Sequence, residues 1–138
     1  MNKKVLPNEL FLEEAGKLLE EGREVVFTPL GNSMLPFIRG GKDEVTLKVL
    51  PHVEVGDIVL ARLPGPNYVL HRVVDRNRSL LTLMGDGNLQ GTESCTRDDV
   101  MGTVTTINGV PPSDGMVWRM LRPFRRILLA IYRRTHRI

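Results

Sequence analysis

The strongest structural signal in the chain is the stretch VGDIVLARLPGPNYVLHRVV, residues 55–74. Two runs rich in branched apolar residues, Gly56 to Arg62 and Tyr68 to Val74, flank a loop with two prolines and a glycine. Branched apolar residues favour strands, whereas proline and glycine interrupt them, so this stretch predicts a β-hairpin. The second strand of the hairpin would carry His71.

Four more short segments have the composition of strands. They are Glu24 to Thr28, Val45 to Val49, Leu80 to Met84 and Val100 to Ile107. In the second of them apolar and polar residues alternate, which is the period of a half-buried strand. Short strands with little helix between them indicate a mainly β body.

Helical patterns occur near both ends of these 138 residues. From Pro7 to Gly22 apolar residues recur at spacings of three and four, and from Met116 to Ile138 an apolar face alternates with seven arginines. The sequence therefore predicts a single domain, 1–138. It would comprise an N-terminal helix in 1–23, a β body in 24–110 and a basic amphipathic helix in 111–138.

The amino-acid composition is typical of a globular domain. Apolar residues make up 41% and charged residues 25%, as in soluble globular domains. The single cysteine, Cys95, excludes an internal disulfide. No segment approaches the roughly 20 apolar residues of a membrane span, and the N-terminus lacks the apolar core of a signal peptide. These features predict a cytoplasmic protein without a membrane anchor ahead of the β body.

Charge is distributed unevenly along the chain. Residues 1–115 carry 12 basic and 16 acidic side chains, whereas Met116–Ile138 carries seven arginines and no acid. A basic amphipathic helix either lies on an acidic membrane surface or packs on its own domain. Peripheral contact with the inner face of the membrane through this helix is therefore one expectation. A nucleic-acid partner is not favoured, because no helix-turn-helix accompanies the basic segment.

A second stretch, GNSMLPFI at residues 31–38, contains a serine that could take part in catalysis. Pro36 fixes its own φ and pushes Leu35 towards an extended conformation, which predicts a turn or bulge. Such a turn would display Ser33 on a stiff backbone. Serine in a turn often only satisfies the backbone, but beside a base it can become a nucleophile.

Few side chains can serve as that base. No lysine follows Lys48, and the histidines are His52, His71 and His136. The first and last are expected in solvent, whereas His71 on its strand is either a hydrogen-bonded structural histidine or a base. Asp86, between two glycines, is either a turn aspartate or a carboxylate that orients the histidine. Neither metal-ligand spacing nor a cofactor motif is present, so no metal and no cofactor are expected.

Four segments in order carry a resemblance. GNSMLPFI, the stretch 55–74, LMGDGN at 83–88 and DVMGTV at 99–104 resemble successive motifs of the superfamily that joins signal peptidase I to LexA-type self-cleaving repressors. The match covers about residues 28–107. It implies a signal peptidase/LexA-like catalytic β-fold and a serine endopeptidase that cleaves an extended segment of a peptide or protein substrate.

The resemblance also implies roles for individual residues. Ser33 is similar to the family's nucleophile, and the sequence HRV from His71 resembles the endoplasmic-reticulum and archaeal branch, in which histidine replaces a lysine base. It therefore implies a Ser33–His71 pair with Asp86 as a third catalytic member. In that branch a further aspartate follows six residues after Asp86, and here Thr92 stands there with Glu93 next to it.

A third group of residues would stabilise the oxyanion or position the substrate, namely Gly31, Asn32 and Met34. Signal peptidases commonly have a serine where Gly31 stands, whereas LexA-type proteins have glycine. This departure, together with Thr92, leaves an alternative open. In the alternative the chain is a non-catalytic or regulatory relative that binds a peptide, a partner or a membrane surface.

Overall fold

The computed structural model describes residues 3–4, 9–65, 67–88, 91–113 and 115, together with 127, 130–132 and 134. One α-helix, α1 (Glu9–Glu20), precedes most of the strands. The strands are β1 (Lys3–Lys4), β2 (Val25–Phe27), β3 (Val45–Lys48), β4 (Ile58–Leu63), β5 (Asn67–Asn77), β6 (Leu80–Met84), β7 (Glu93–Thr96) and β8 (Val100–Ile107). The prediction of a mainly β protein is confirmed.

The strands form one curled sheet in the order β1-β2-β3-β8-β4-β5-β6-β7. All neighbours from β2 to β7 in this order are antiparallel, and the two-residue β1 is parallel to β2. Register shifts interrupt the pairing of β3 with β8, of β4 with β8 and of β5 with β6. Such bulges bend and twist a strand, which curls the sheet. The last strand, β8, lies in the middle and joins the two halves.

The predicted hairpin is present. β4 pairs with β5 from Ile58 opposite Arg72 to Leu63 opposite Asn67, and this register places His71 opposite Val59. β7 was not predicted, because Glu93–Thr96 is a polar sequence in which only Cys95 is buried. A strand at the edge of a sheet has few apolar side chains to reveal it.

The core has two parts, one on each face of β4. Ile58 and Leu60 pack in a cluster with α1, whereas Val59 and Ala61 pack in a second cluster. Successive residues of a strand point to opposite faces, so these four residues are all buried. β4 therefore forms the centre of the molecule and gives its neighbour β5 a rigid support.

The helix α1 covers one face of the sheet. Leu12, Ala15 and Leu19 are buried at helical spacing, and Phe11 contacts Phe27 of β2 with ring centroids 5.8 Å apart. The helix predicted from Pro7 to Gly22 is thus confirmed over Glu9–Glu20, while Pro7 lies outside the described residues.

The predicted C-terminal helix lies largely outside the described residues. Of the segment Met116–Ile138, residues 127, 130–132 and 134 are described, and they are helical. The membrane contact expected of this segment stays a prediction. Within the described part of the chain, no helix is both long enough and apolar enough to cross a membrane.

Candidate active site

Ser33 lies in the loop between β2 and β3, residues 28–44, which we call the nucleophile loop. The N–H groups of Phe37 and Ile38 both donate to the carbonyl of Met34, at 2.9 and 3.0 Å, so a tight turn follows the serine as predicted. The side chains of Met34 and Ile38 are buried in the core cluster beneath α1. They anchor the turn, whereas Ser33 itself is half-buried and faces a pocket.

The nucleophile loop is closed at its base by hydrogen bonds. Gly41 N–H donates to the carbonyl of Pro29 at 2.6 Å, and Gly40 N–H donates to the side-chain oxygen of Asn32 at 3.1 Å. A Cβ at Gly40 would collide with the carbonyl oxygen of Leu30, so this close approach needs glycine. The side chain of Asn32, predicted to position substrate, therefore braces the loop that carries Ser33.

A buried carboxylate, Asp43, lies near the end of this loop. It accepts hydrogen bonds from the Arg39 backbone at 2.7 Å, from the Arg39 guanidinium at 2.8 Å and from the Asn108 amide at 3.0 Å. Burial raises the pKa of Asp43, but the hydrogen bonds from Arg39 and Asn108 outweigh it. The net pKa of this carboxyl lies below its ordinary value of 3.8.

Replacement of Asp43 by alanine is expected to lower the free energy of unfolding by about 1–3 kcal/mol at neutral pH, because several donors lose their acceptor. A group whose pKa is lowered by folding stabilises the fold above its unfolded pKa, and this contribution disappears as pH falls through the folded pKa. Urea unfolding at a series of pH values checks this. The difference between wild type and Asp43→Ala should shrink below pH 3.8, and a difference independent of pH would contradict it.

His71 bridges Ser33 and an acidic side chain. Its Nε2 lies 3.0 Å from Ser33 Oγ, and its Nδ1 lies 2.6 Å from Oε1 of Glu93. An ionised carboxylate can only accept, so Nδ1 carries the ring proton and donates to Glu93. The lone pair of Nε2 is then directed at the Ser33 hydroxyl, which donates to it. The imidazole is buried, with 8% of its side chain exposed, and Glu93 is 27% exposed.

The role predicted for Asp86 needs correction. Its carboxylate forms an ion pair with Arg72, whose Nη2 donates to it at 2.7 Å and whose Nε donates at 3.2 Å. Arg72 follows His71 on β5, and adjacent strand residues project to opposite faces. Glu93, one residue after Thr92, occupies the position at Nδ1 of His71 that Asp86 was expected to fill.

The ion pair places the turn Gly85–Asp86–Gly87 against the serine. Gly87 N–H donates to the carbonyl of Ser33 at 2.8 Å, and Asp86 N–H contacts the sulfur of Met34 at 3.4 Å. A Cβ at Gly85 would collide with the same Ser33 carbonyl. The turn that contains Asp86 thus supports the backbone of Ser33, and Asp86 does not contact the imidazole.

Arg72 is fully buried, with several hydrogen-bond acceptors around it. Besides Asp86, its Nη1 donates to the carbonyls of Gly56 at 2.8 Å and Ser113 at 2.6 Å. The guanidinium also lies 5.1 Å from the centre of the Phe37 ring. A buried cation is tolerated only when it is paired and hydrogen-bonded, and this one connects β5, the nucleophile loop and the segment after β8.

The remaining predicted positioning residues lie on either side of Ser33. Gly31 is exposed, and a Cβ there would meet no atom within 4 Å, whereas Met34 is 2% exposed. Among the described residues, the N–H groups of Ser33 and Met34 donate to no protein acceptor. Two backbone donors next to the Ser33 hydroxyl therefore have no protein acceptor in this part of the chain.

Other reactive side chains lie apart from this group. His52 is exposed in a loop, and Cys95 is buried, which raises the pKa of its thiol. His136 lies outside the described residues. In the described ranges, no three His, Cys, Asp or Glu side chains are placed to hold a metal ion.

Sequence reasoning placed Ser33 and His71 together, but it assigned to Asp86 the contact with the histidine that Glu93 makes. Glu93 is one residue after position 92, where the resemblance expects an acid. The sequence would have indicated Glu93 if a shift of one residue in the motif had been allowed. Comparison with known proteins finds no family model that matches the chain and no curated protein that matches it.

Proposed function

We propose that the protein is a serine endopeptidase of the signal peptidase-like type. The observation that supports this most strongly is the continuous hydrogen-bonded series from Ser33 Oγ to His71 Nε2 at 3.0 Å and from His71 Nδ1 to Glu93 at 2.6 Å. A nucleophile within hydrogen-bond reach of a base, which is itself oriented by a third group, is the arrangement that activates serine.

The reaction would proceed by acyl transfer. Ser33 Oγ forms a bond to the carbonyl carbon of the peptide while its proton passes to His71 Nε2, and Glu93 stabilises the resulting imidazolium. The tetrahedral intermediate then loses the amine, which takes the proton from Nε2. Water then attacks the acyl-serine while its proton passes to the same nitrogen; the bond from Ser33 Oγ to the carbonyl carbon breaks, Oγ takes the proton back from Nε2, and the second product leaves as an acid.

The negative oxygen of the intermediate would be stabilised by backbone donors. The N–H groups of Ser33 and Met34 are the donors nearest to the attacking atom in sequence, and Gly31 supplies no side-chain donor. One donor of this kind is worth about 3–4 kcal/mol of transition-state stabilisation. An enzyme that relies on backbone donors alone is expected to be slow or narrowly specific.

An extended peptide has a strand edge to bind. β5 pairs with β4 from Asn67 to Arg72, but β6 pairs with β5 only from Arg72 onward. Among the described residues, no strand pairs with Tyr68–Leu70 on the side away from β4, next to Ser33 and His71. Peptides commonly add to such an edge through main-chain hydrogen bonds.

The test is digestion of a diverse library of cellular peptides by the full-length protein, with new termini identified by mass spectrometry. New termini should appear with the wild type and be absent with Ser33→Ala. Ser79→Ala is a matched control, because Ser79 is exposed in the turn between β5 and β6, and it should cleave like the wild type. Equal cleavage by Ser33→Ala, or no cleavage by the wild type, would refute the proposal.

A further inference from the structure

A pocket of about 250 Å3 opens beside Ser33 and His71. Its walls come from α1, β2, the nucleophile loop, β4 and β5, and its deepest side chains include Phe27, Ile38 and Leu60, which are all buried. Within the described part of the chain, no Asp, Glu, Lys or Arg lines it. An uncharged pocket of this kind disfavours a charged side chain, because the charge would lose its hydration without a partner.

The size of the pocket indicates what it can hold. An apolar cavity of roughly 150 Å3 already accommodates benzene. The present pocket is larger, so it has room for the side chain of leucine or phenylalanine, whereas alanine would leave most of it empty. Unfilled apolar volume forfeits contacts and burial, and each missing methylene in a hydrophobic pocket lowers kcat/KM by about 10- to 200-fold.

One wall of the pocket is formed by α1, the helix that precedes the β body. Leu12 of α1 lines the pocket, and its backbone is fixed because Ala15 and Leu19, on the same face of the helix, are buried in the core. Phe11 adds a ring contact with Phe27 at the same end of the helix. Leu12 is therefore a rigid boundary of the pocket, supplied by an element that has no part in the Ser33–His71–Glu93 group.

We propose that this pocket receives a large apolar side chain, leucine or phenylalanine, of the residue whose carbonyl Ser33 attacks, and that Leu12 sets its upper size. The proposal rests on the proposed endopeptidase function for the identity of the bond. Its physical basis is the position of Ser33 and His71 at the pocket, the uncharged lining and the volume. The helix α1 then has a role in substrate selection as well as in folding.

The test uses fluorogenic peptides from the library digestion that differ only at the residue before the cleaved bond, with alanine, leucine, phenylalanine, tryptophan or lysine there. With the full-length protein, kcat/KM for leucine or phenylalanine should exceed that for alanine by about tenfold or more, and lysine should not be accepted. Leu12→Phe should lower the phenylalanine-to-alanine ratio by about tenfold, and Leu12→Ala should admit tryptophan.

Leu18 provides the matched control. It lies on α1 and packs against the same core, but it does not line the pocket, so Leu18→Phe and Leu18→Ala should leave the ratio unchanged. Thermal unfolding of all four variants measures any loss of folding separately. An optimum at alanine, or equal ratios for the Leu12 and Leu18 variants, would overturn the proposal while leaving the endopeptidase function intact.

A binding measurement tests the pocket independently of the endopeptidase function. Ser33→Ala is titrated with five fluorescently labelled extended peptides of one fixed sequence, which carry alanine, leucine, phenylalanine, tryptophan or lysine at a single position, and anisotropy reports their affinities. Tighter binding of leucine and phenylalanine peptides, lost with Leu12→Phe, supports the pocket even if the wild type cleaves nothing. Equal affinities for all five peptides would refute the pocket whatever the activity.

Discussion

Replacement of His71 by alanine is expected to lower kcat by about 10⁶-fold, and replacement of Glu93 by glutamine by about 10³- to 10⁴-fold. Without the imidazole, the proton of Ser33 has no acceptor. Glutamine can donate to Nδ1 of His71 through its amide, so the ring can adopt the other tautomer, in which Nε2 carries a proton and cannot accept one. Steady-state kinetics on a peptide from the library digestion measures both effects.

Two roles of Glu93 can be told apart by measurement: orienting His71 and stabilising the fold. A purely stabilising role would lower the unfolding midpoint. If Glu93 acts by orienting His71, Glu93→Gln lowers kcat with little change in KM or in the unfolding midpoint. Glu93→Asp, which keeps the charge on a shorter side chain, should recover part of the rate. A Glu93→Gln variant as active as the wild type would show that the 2.6 Å contact has no catalytic consequence.

The second large effect concerns stability. Replacement of Arg72 by methionine is expected to lower the free energy of unfolding by about 3–5 kcal/mol, because it leaves the Asp86 carboxylate without its buried ion-pair partner. The carbonyls of Gly56 and Ser113 lose a donor as well. Urea unfolding followed by circular dichroism measures the change. The double variant Arg72→Met with Asp86→Asn should recover part of the loss, because it also removes the buried carboxylate that paired with Arg72.

Arg76 supplies the comparison on the same strand. Its guanidinium donates to the carbonyl of Val53 at 3.0 Å and lies 4.0 Å from Glu54, but 49% of its side chain is exposed. Exposed ion pairs contribute about 0–1 kcal/mol, so Arg76→Met should be nearly neutral. Equal losses for Arg72→Met and Arg76→Met would contradict the importance of the buried pair.

The strands could be predicted largely because their burial follows local pattern. In β3, the buried Val45 and Leu47 alternate with the half-buried Thr46 and the exposed Lys48, and β6 and β8 have the predicted bounds. The strand β7 could not be predicted in this way, since its sequence is polar and only Cys95 in it is buried. Missing β7 also meant missing the element that carries Glu93.

The site was predictable in part for a similar reason. Motif order brought Ser33 and His71 into one hypothesis, but distance along the chain does not tell which of two acids reaches an imidazole. Asp86 pairs with Arg72 because both are buried and each charge needs a partner there. The sequence did contain one sign of this pairing: Arg72 lies between His71 and Val73 in a strand, and a buried arginine needs a carboxylate partner.

The central position of β8 has a consequence for synthesis on the ribosome. Ser33, His71 and Glu93 emerge in that order, and the halves that hold them are joined by a strand made after all three. Pairings between residues far apart in sequence form late, because the intervening chain must first be ordered. In a nascent chain, Ser33 and His71 would therefore be held together only after β8 had been translated, and the proposed activity would arise only then.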